Sequence, residues 1–166
     1  MNTLEPAKKE EAGQCGRILS DGREFQKEQG FVQWTENYPN LDTIYEDIKA
    51  QKGYVLKVDE KLAGYMCIDF SGEPAYSDIK GAWSAERDYA VVRRIAFSKE
   101  FIGVGLADIA FKLIEKVCLD NKVPYIRINT GFFNKRMQHI LEKNGFVQCG
   151  VVVLQGGEKI AYDKLL

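Results

Sequence analysis

Arg93-Arg94-Ile95-Ala96-Phe97-Ser98-Lys99-Glu100-Phe101-Ile102-Gly103-Val104-Gly105-Leu106-Ala107 is the stretch on which the reading of this chain turns. Its first residues continue the run Tyr89-Ala90-Val91-Val92, and 89–97 together predict a long central strand. Residues 98–105 read as a loop carrying Gly103 and Gly105. Leu106, Ile109, Ala110, Leu113 and Val117 then recur at helical spacing, with Phe111, Ile114 and Cys118 widening the apolar face of a well-buried helix. A helix start leaves backbone N–H groups unpaired, and the peptide dipoles make that end electropositive. Glycines let such a backbone close on an anion, which suits a diphosphate. A Walker-A loop would need Lys-Ser/Thr where Leu106-Ala107 stand, and a dinucleotide fingerprint would need glycine at Asp108. ATP, GTP and NAD are therefore poor fits. G-x-G before a helix equally describes a plain strand-to-helix turn, and the spacing does not choose.

Working outward, residues 2–6 suit a short first strand. Cys15, Ile18, Leu19, Gly22 and Phe25 then give a helical stripe that Gly30 ends. Tyr38-Pro39-Asn40 is a turn signal. Leu41, Ile44, Tyr45 and Ile48 mark a second helix, with Thr43 and Glu46 at capping-box spacing and Gly53 closing it. Residues 54–58 and 62–70 read as a hairpin about a turn at 59–61. Residues 71–87 are loop-like, with a short helix over 77–83. Downstream, Pro124 stops the long helix, 125–129 is a strand, and 134–144 is a helix with Gly145 at its C′ position. Strands at 146–154 and 159–165 flank a Gly156-Gly157 turn. The alternation predicts one mixed α/β domain over 1–166, with hairpins at both ends of the sheet and crossover helices in the middle.

Composition narrows the function classes. The 166 residues suit a single domain, and the 45% apolar content is that of a globular protein. Twenty-three basic against 24 acidic residues leave a net charge of −1, so no global field draws the chain to nucleic acid or to an anionic membrane. The opening MNTLEPAKKEE has no apolar h-region, and no apolar run has membrane-spanning length. Cys15, Cys67, Cys118 and Cys149 form no metal-site spacing and read as reduced thiols of a cytoplasmic protein. The single histidine, His139, leaves a zinc site or a Ser-His-Asp triad little to work with, so no metal is expected.

A second segment shifts the balance between the two readings of the glycine turn. Asn134-Lys135-Arg136-Met137-Gln138-His139-Ile140-Leu141-Glu142-Lys143-Asn144-Gly145-Phe146 is an Asn-initiated helix ending in a Gly-Phe pair. With the loop at 100–105, which occupies a Q/R-x-x-G-x-G/A pattern, it resembles the GNAT superfamily of N-acetyltransferases. Gln33-Trp34, Tyr38-Pro39, Glu73-Pro74-Ala75-Tyr76, Gly81-Ala82-Trp83 and the strand at 89–97 resemble one bacterial branch of it. The resemblance implies a mixed central sheet flanked by about four helices, with a splay between the two central parallel strands. It implies acetyl-CoA as cofactor. The pantetheine arm would pair with the backbone around Ile95, Ala96 and Phe97. N–H groups of Phe101, Ile102, Gly103, Val104, Gly105 and Leu106 would hold the pyrophosphate. Asn134, Met137 and Lys143 would add contacts along the pantetheine and at the 3′-phosphate.

Two positions depart from the family pattern. Glu100 and Ile102 stand where basic residues are usual, and a carboxylate beside a pyrophosphate costs affinity unless it points away. Leu141 stands seven residues after Asn134, where many relatives carry a tyrosine that protonates the leaving thiolate. A thiol pKa of about 8.5 makes that help modest near neutral pH, and Tyr125 or Tyr76 could also serve. The implied reaction is direct attack of a neutral primary amine on the thioester, with Glu86 or Asp88 as base and a strand N–H for the oxyanion. Trp34, Tyr38, Tyr76 and Trp83 would line the pocket for a small-molecule or peptide amine, by cation–π contact. A homodimer fits such a family. The alternatives are a non-catalytic acyl-CoA-binding module, which Glu100 and Leu141 favour, and a scaffold without CoA.

Overall fold

The computed structural model describes residues 1–35, 37–101, 103–154 and 157–166. The pyrophosphate role expected of Ile102, and half of the Gly156-Gly157 turn, lie outside the described residues. Eight strands form one mixed sheet: β1 (Asn2–Pro6), β2 (Gly53–Val58), β3 (Lys61–Asp69), β4 (Lys80–Gly81), β5 (Ala90–Phe97), β6 (Tyr125–Thr130), β7 (Val147–Leu154) and β8 (Gly157–Leu165), in the order β1-β2-β3-β5-β6-β8-β7-β4. Among the described residues four α-helices accompany it: α1 (Ala12–Glu28), α2 (Leu41–Lys49), α3 (Leu106–Asp120) and α4 (Lys135–Lys143). The chain forms two compact units, residues 1–68 with 93–113, and residues 69–92 with 114–166; β5 and α3 each run from one into the other.

The first unit is built on three antiparallel strands with α1 and α2 inserted between β1 and β2. β1 pairs with β2 and β2 with β3, both antiparallel. The predicted stripe of α1 is buried as Cys15, Ile18 and Leu19, against Ile44 of α2, Val55, Tyr65 and Ala96. Gly22 has a packing reason: a Cβ there would lie 3.0 Å from both Ala96 Cβ and the Trp34 ring. The cap of α2 differs from expectation. Asn40, not Thr43, is the N-cap; its Oδ1 accepts the Thr43 N–H at 3.0 Å while Thr43 Oγ1 accepts the Asn40 N–H at 3.2 Å. Asn is as good an N-cap as any residue, and it satisfies two donors here with a threonine partner instead of Glu/Gln.

The second unit holds the other half of the sheet. β6 and β8 are antiparallel, as are β8 and β7, which form the expected C-terminal hairpin. The parallel register of β5 with β6 covers Ala90↔Ile126 and Val91↔Arg127, the first two residues of β5. Gly145 ends α4 at φ +88 as anticipated. The helix expected over 77–83 is instead a 3-10 turn at Pro74–Asp78 followed by the two-residue strand β4. Pro74 opens that turn, Glu73 caps it by accepting the Ala75 N–H at 3.3 Å, and Lys80 and Gly81 pair with β7. At that pairing the two backbones nearly touch. A Cβ on Gly81 would sit 2.2 Å from Cys149 O, and one on Gly150 would sit 2.1 Å from Lys80 O. With φ at +136 and +148, both positions require glycine.

Candidate active site

The loop before α3 is built to leave donors open. Lys99 to Phe101 form a 3-10 turn in which the Phe101 N–H donates to Ser98 O at 2.9 Å and the Lys99 N–H donates to Asp21 Oδ2 at 3.0 Å. Past it, Gly103 and Gly105 adopt φ +90 and +73, and Gly103, Val104 and Gly105 are exposed. Space around the two glycines is open, so nothing blocks approach to their backbone. Among the described residues no acceptor takes the N–H groups of these three. Leu106 then anchors the buried side of α3. Glu100 does not aim its charge unpaired at this turn: its carboxylate meets Lys61 Nζ at 2.5 Å, and that hydrogen bond holds its pKa below the usual range. Both side chains are well exposed, so the pair is screened.

Upstream, β5 runs unbroken but is kinked at Arg94, which takes φ +55, a left-handed conformation rare for a non-glycine residue within a strand. Its guanidinium explains why the kink persists. Nε donates to Asp47 Oδ2 at 3.0 Å, Nη2 donates to Asp47 Oδ1, and Nη1 donates to Tyr38 Oη at 2.9 Å. Tyr65 Oη also donates to Asp47 Oδ2, at 2.6 Å, and burial, then the Asp47 charge, pushes the Tyr65 phenol far above its ordinary range. Tyr38 is thereby held as a partner of Arg94, and Trp34 packs on the first unit's core while its backbone N–H donates to Gln26 Oε1 at 2.9 Å.

In the second unit Asn134 is the N-cap of α4, its Oδ1 accepting the Met137 N–H at 3.1 Å. Met137 is half-buried, Lys143 is exposed, and Leu141 is wholly buried. The same unit contains a cavity of about 530 Å³, lined by Ile79, Trp83, Glu86, Tyr89 and Arg127 and by every residue of 71–77 but Ala75. Tyr76 and Trp83 stack at 5.0 Å between centroids, and Tyr89 lies 6.1 Å from Tyr76. The Trp83 Nε1–H donates to Tyr76 O at 2.9 Å, and Asn129 Nδ2 donates to Tyr76 Oη at 2.8 Å.

Tyr125, Arg127 and Asn129 share one face of β6 and furnish the polar groups here. Arg127, 4% exposed, has its guanidinium 4.2 Å from the Tyr89 centroid, 4.4 Å from Trp83 and 5.2 Å from Tyr125. Nη2 donates to Ala85 O at 2.6 Å and Nε to Tyr125 Oη at 3.3 Å. Tyr125 Oη in turn donates to Asp163 Oδ2 at 2.6 Å. Burial, then that bond, raises the Tyr125 phenol to about 12. Burial also works to raise Asp163, but hydrogen bonds from Tyr125 and from Ser84 prevail and keep its carboxyl below the usual range.

Of the residues expected to bind the acceptor, Tyr76 and Trp83 share this cavity, whereas Trp34 and Tyr38 belong to the first unit. Of the expected bases, Glu86 lines the cavity, and Asp88 is exposed and does not. The sequence reading missed Arg127, Tyr89 and Glu73. The available signal was the alternation Tyr125-Ile126-Arg127-Ile128-Asn129: three polar-tipped side chains on one face of a strand between two helices, where an apolar face is the default.

A family model described as the acetyltransferase (GNAT) family matches residues 19–146. Among solved structures, a GNAT-family acetyltransferase from Streptococcus agalactiae 2603 is 32% identical, with a TM-score of 0.90 over 99% of this chain and 95% of that one. A GNAT-family acetyltransferase from Listeria monocytogenes 4b F2365 is 22% identical, with a TM-score of 0.78 over 99% and 95%. The aminoglycoside acetyltransferase AAC(6')-Ib, in complex with coenzyme A and kanamycin, shares the fold at 19% identity, with a TM-score of 0.72 over 99% and 95%. No curated protein matches the chain. By the family model and by the streptococcal structure, this chain belongs to the GNAT family of acetyltransferases.

Proposed function

We propose that the chain is a cytoplasmic N-acetyltransferase that passes an acetyl group from acetyl-CoA to a primary amine by direct attack. The observation that carries this reading is the exposed Gly103-Val104-Gly105 turn at the start of α3, whose N–H groups have no described acceptor. That is the chemistry a pyrophosphate needs. Coenzyme A in similar structures supports the same cofactor.

In this reading Gly103, Val104, Gly105 and Leu106 hold the pyrophosphate. The Phe101 N–H, already bonded to Ser98 O, contributes least. Backbone groups of Ile95, Ala96 and Phe97 align the pantetheine, with Asn134, Met137 and Lys143 beside it. When bound, acetyl-CoA supplies a thioester: the new N–C bond forms, the C–S bond breaks, and the electron pair leaves on sulfur. Glu86, at the cavity and 85% exposed, takes the amine proton directly or through water, with Asp88 as the other carboxylate near β5. A phenol held at about 12 whose proton is donated to Asp163 is a weak acid near neutral pH. Tyr76, the other tyrosine considered, is wholly buried with its Oη bonded to Asn129, so in this reading the thiolate leaves as such and Tyr125 fixes Arg127 instead. The non-catalytic acyl-CoA module is the second reading, favoured by the buried, apolar Leu141. A homodimer is part of the proposal, and sedimentation would test it.

Thermal unfolding with millimolar acetyl-CoA, against ATP and NAD, tests the cofactor. At about a hundred times Kd the ligand adds about 2.7 kcal/mol, a rise of about 5–10 °C for a domain of this size. Thiol release across an amine panel then tests transfer. A thermal shift with no acceptor-dependent thiol would select the non-catalytic module.

A further inference from the structure

We propose that the cavity of the second unit takes an amine that also bears a carboxylate, an amino acid or the end of a short peptide, and that Arg127 holds that carboxylate. This rests on the acetyl-transfer reading only for calling the ligand an acceptor. The binding site stands on its own geometry.

Among the described residues Arg127 is a buried cation without a firm counter-ion. Its two close hydrogen-bond partners, Ala85 O and Tyr125 Oη, are neutral. Among the described residues its one ion pair is with Glu86 Oε2, 3.6 Å away on a side chain that is 85% exposed. Asp163 is opposite Arg127 in the β6–β8 register, but its carboxylate is reached only through Tyr125 Oη. Buried charges are ordinarily paired and hydrogen-bonded. Nη1 has no acceptor among the described residues, and it is not among the atoms sealed from solvent without a partner. Arg127 lines the cavity, so Nη1 is the donor left for a ligand. An arginine packed against three rings is preorganised, and a guanidinium fits a carboxylate geometrically.

The remaining lining fits the rest of such a molecule. Glu73 and Glu86 provide counter-charge for the ammonium end, and Tyr76, Trp83 and Tyr89 provide an apolar wall for its carbon frame. A volume of about 530 Å³ is ample for an amino acid and falls within the range of small-molecule sites. A polycation would instead bring its charges against Arg127, with the exposed Arg87 guanidinium 5.8 Å from the Tyr125 centroid adding to the repulsion.

The test pairs amino acids with their decarboxylated amines: tyrosine with tyramine, phenylalanine with phenethylamine, lysine with cadaverine, and kanamycin as a polycation. Binding to the full chain is read by thermal unfolding without acetyl-CoA, and turnover by thiol release with it. The expected result is binding and turnover that favour the carboxylate-bearing member by about 10- to 100-fold, the weight of one charge-assisted hydrogen bond. Arg127→Gln should collapse that preference. Arg127→Lys, which keeps the charge but loses the planar fork, should keep part of it and serves if the glutamine variant fails to fold. Equal or better binding of the decarboxylated amines, or a preference that survives in both variants, overturns the proposal. Amino-acid binding lost in Arg127→Gln with no thiol release by any amine supports the site and refutes acetyl transfer. Turnover of kanamycin ahead of every amino acid does the reverse.

Discussion

Replacing Arg94 by methionine strips a buried carboxylate of its cation and removes what holds the kink in β5. Asp47 and Arg94 have side-chain exposures of 7% and 12%, and the guanidinium makes two bonds to Asp47 and a third to Tyr38. After Arg94→Met, Asp47 keeps only the Tyr65 hydroxyl among these partners. Breaking a buried pair from one side costs about 3–5 kcal/mol, because the other charge stays behind uncompensated. At about 2–4 °C per kcal/mol for a chain of this size, the melting temperature should fall by about 6–20 °C. Methionine would also lose the reason for φ +55, so residues 95–97 should reset toward an ordinary strand, weakening the acetyl-CoA thermal shift. Urea midpoints of Arg94→Met, Asp47→Leu and the double variant isolate the pair. The double variant should recover much of the loss, since two apolar side chains leave no orphaned charge. A loss below about 1 kcal/mol in Arg94→Met, or a double variant no more stable than either single one, would refute the reasoning.

Gly103→Val should reduce acetyl-CoA binding at least tenfold by titrated thermal shift, with a stability loss of about 1–2 kcal/mol. Space around Gly103 is open, so the penalty is that of φ +90 alone. Tyr125→Phe removes the donor to Asp163 and an acceptor for Arg127, so urea unfolding should register a loss of about 1–3 kcal/mol. Its kcat at saturating acetyl-CoA should stay within a few-fold; a hundredfold drop in a folded variant would make Tyr125 the acid. Asp163 carries a folded pKa below its reference of 3.8, so its contribution is full above about pH 4 and fades as pH falls through the folded value. Asp163→Asn should flatten stability against pH in that acid window. Burial holds the Cys15, Cys118 and Cys149 thiols up at about 12, so a disulfide reagent at pH 8 should label them slowly until urea exposes them.

The parts legible in the sequence are those whose physics is local. The stripe of α1, the strong period of α3, and Gly145 after α4 each declare themselves within a few residues, and each is where it was expected. The glycine turn was readable because φ above zero restricts the choice of residue. What escaped depends on partners distant in the chain. β4 is two residues long and exists only because β7 presents Gly150 to it. Asn40 was passed over as a cap because its partner at N3 is threonine, which the Glu/Gln pattern does not include. Arg127 was overlooked because one cation in a strand looks like surface until Trp83, Tyr89 and Tyr125 are seen around it.

The crossing of Gly81 and Gly150 bears on how the acceptor range of such a protein can be changed. It rivets the segment that carries Trp83 to the sheet at two residues, and neither tolerates even a methyl group. Laboratory diversification should therefore leave the rivet alone and work on the ribbon before it, residues 71–79, which contributes most of the cavity lining and no strand to the sheet. Libraries confined to that ribbon and sparing the wholly buried Tyr76 and Gly72, at φ +91, should retain a folded majority, whereas those reaching position 81 or 150 should be depleted of everything but glycine.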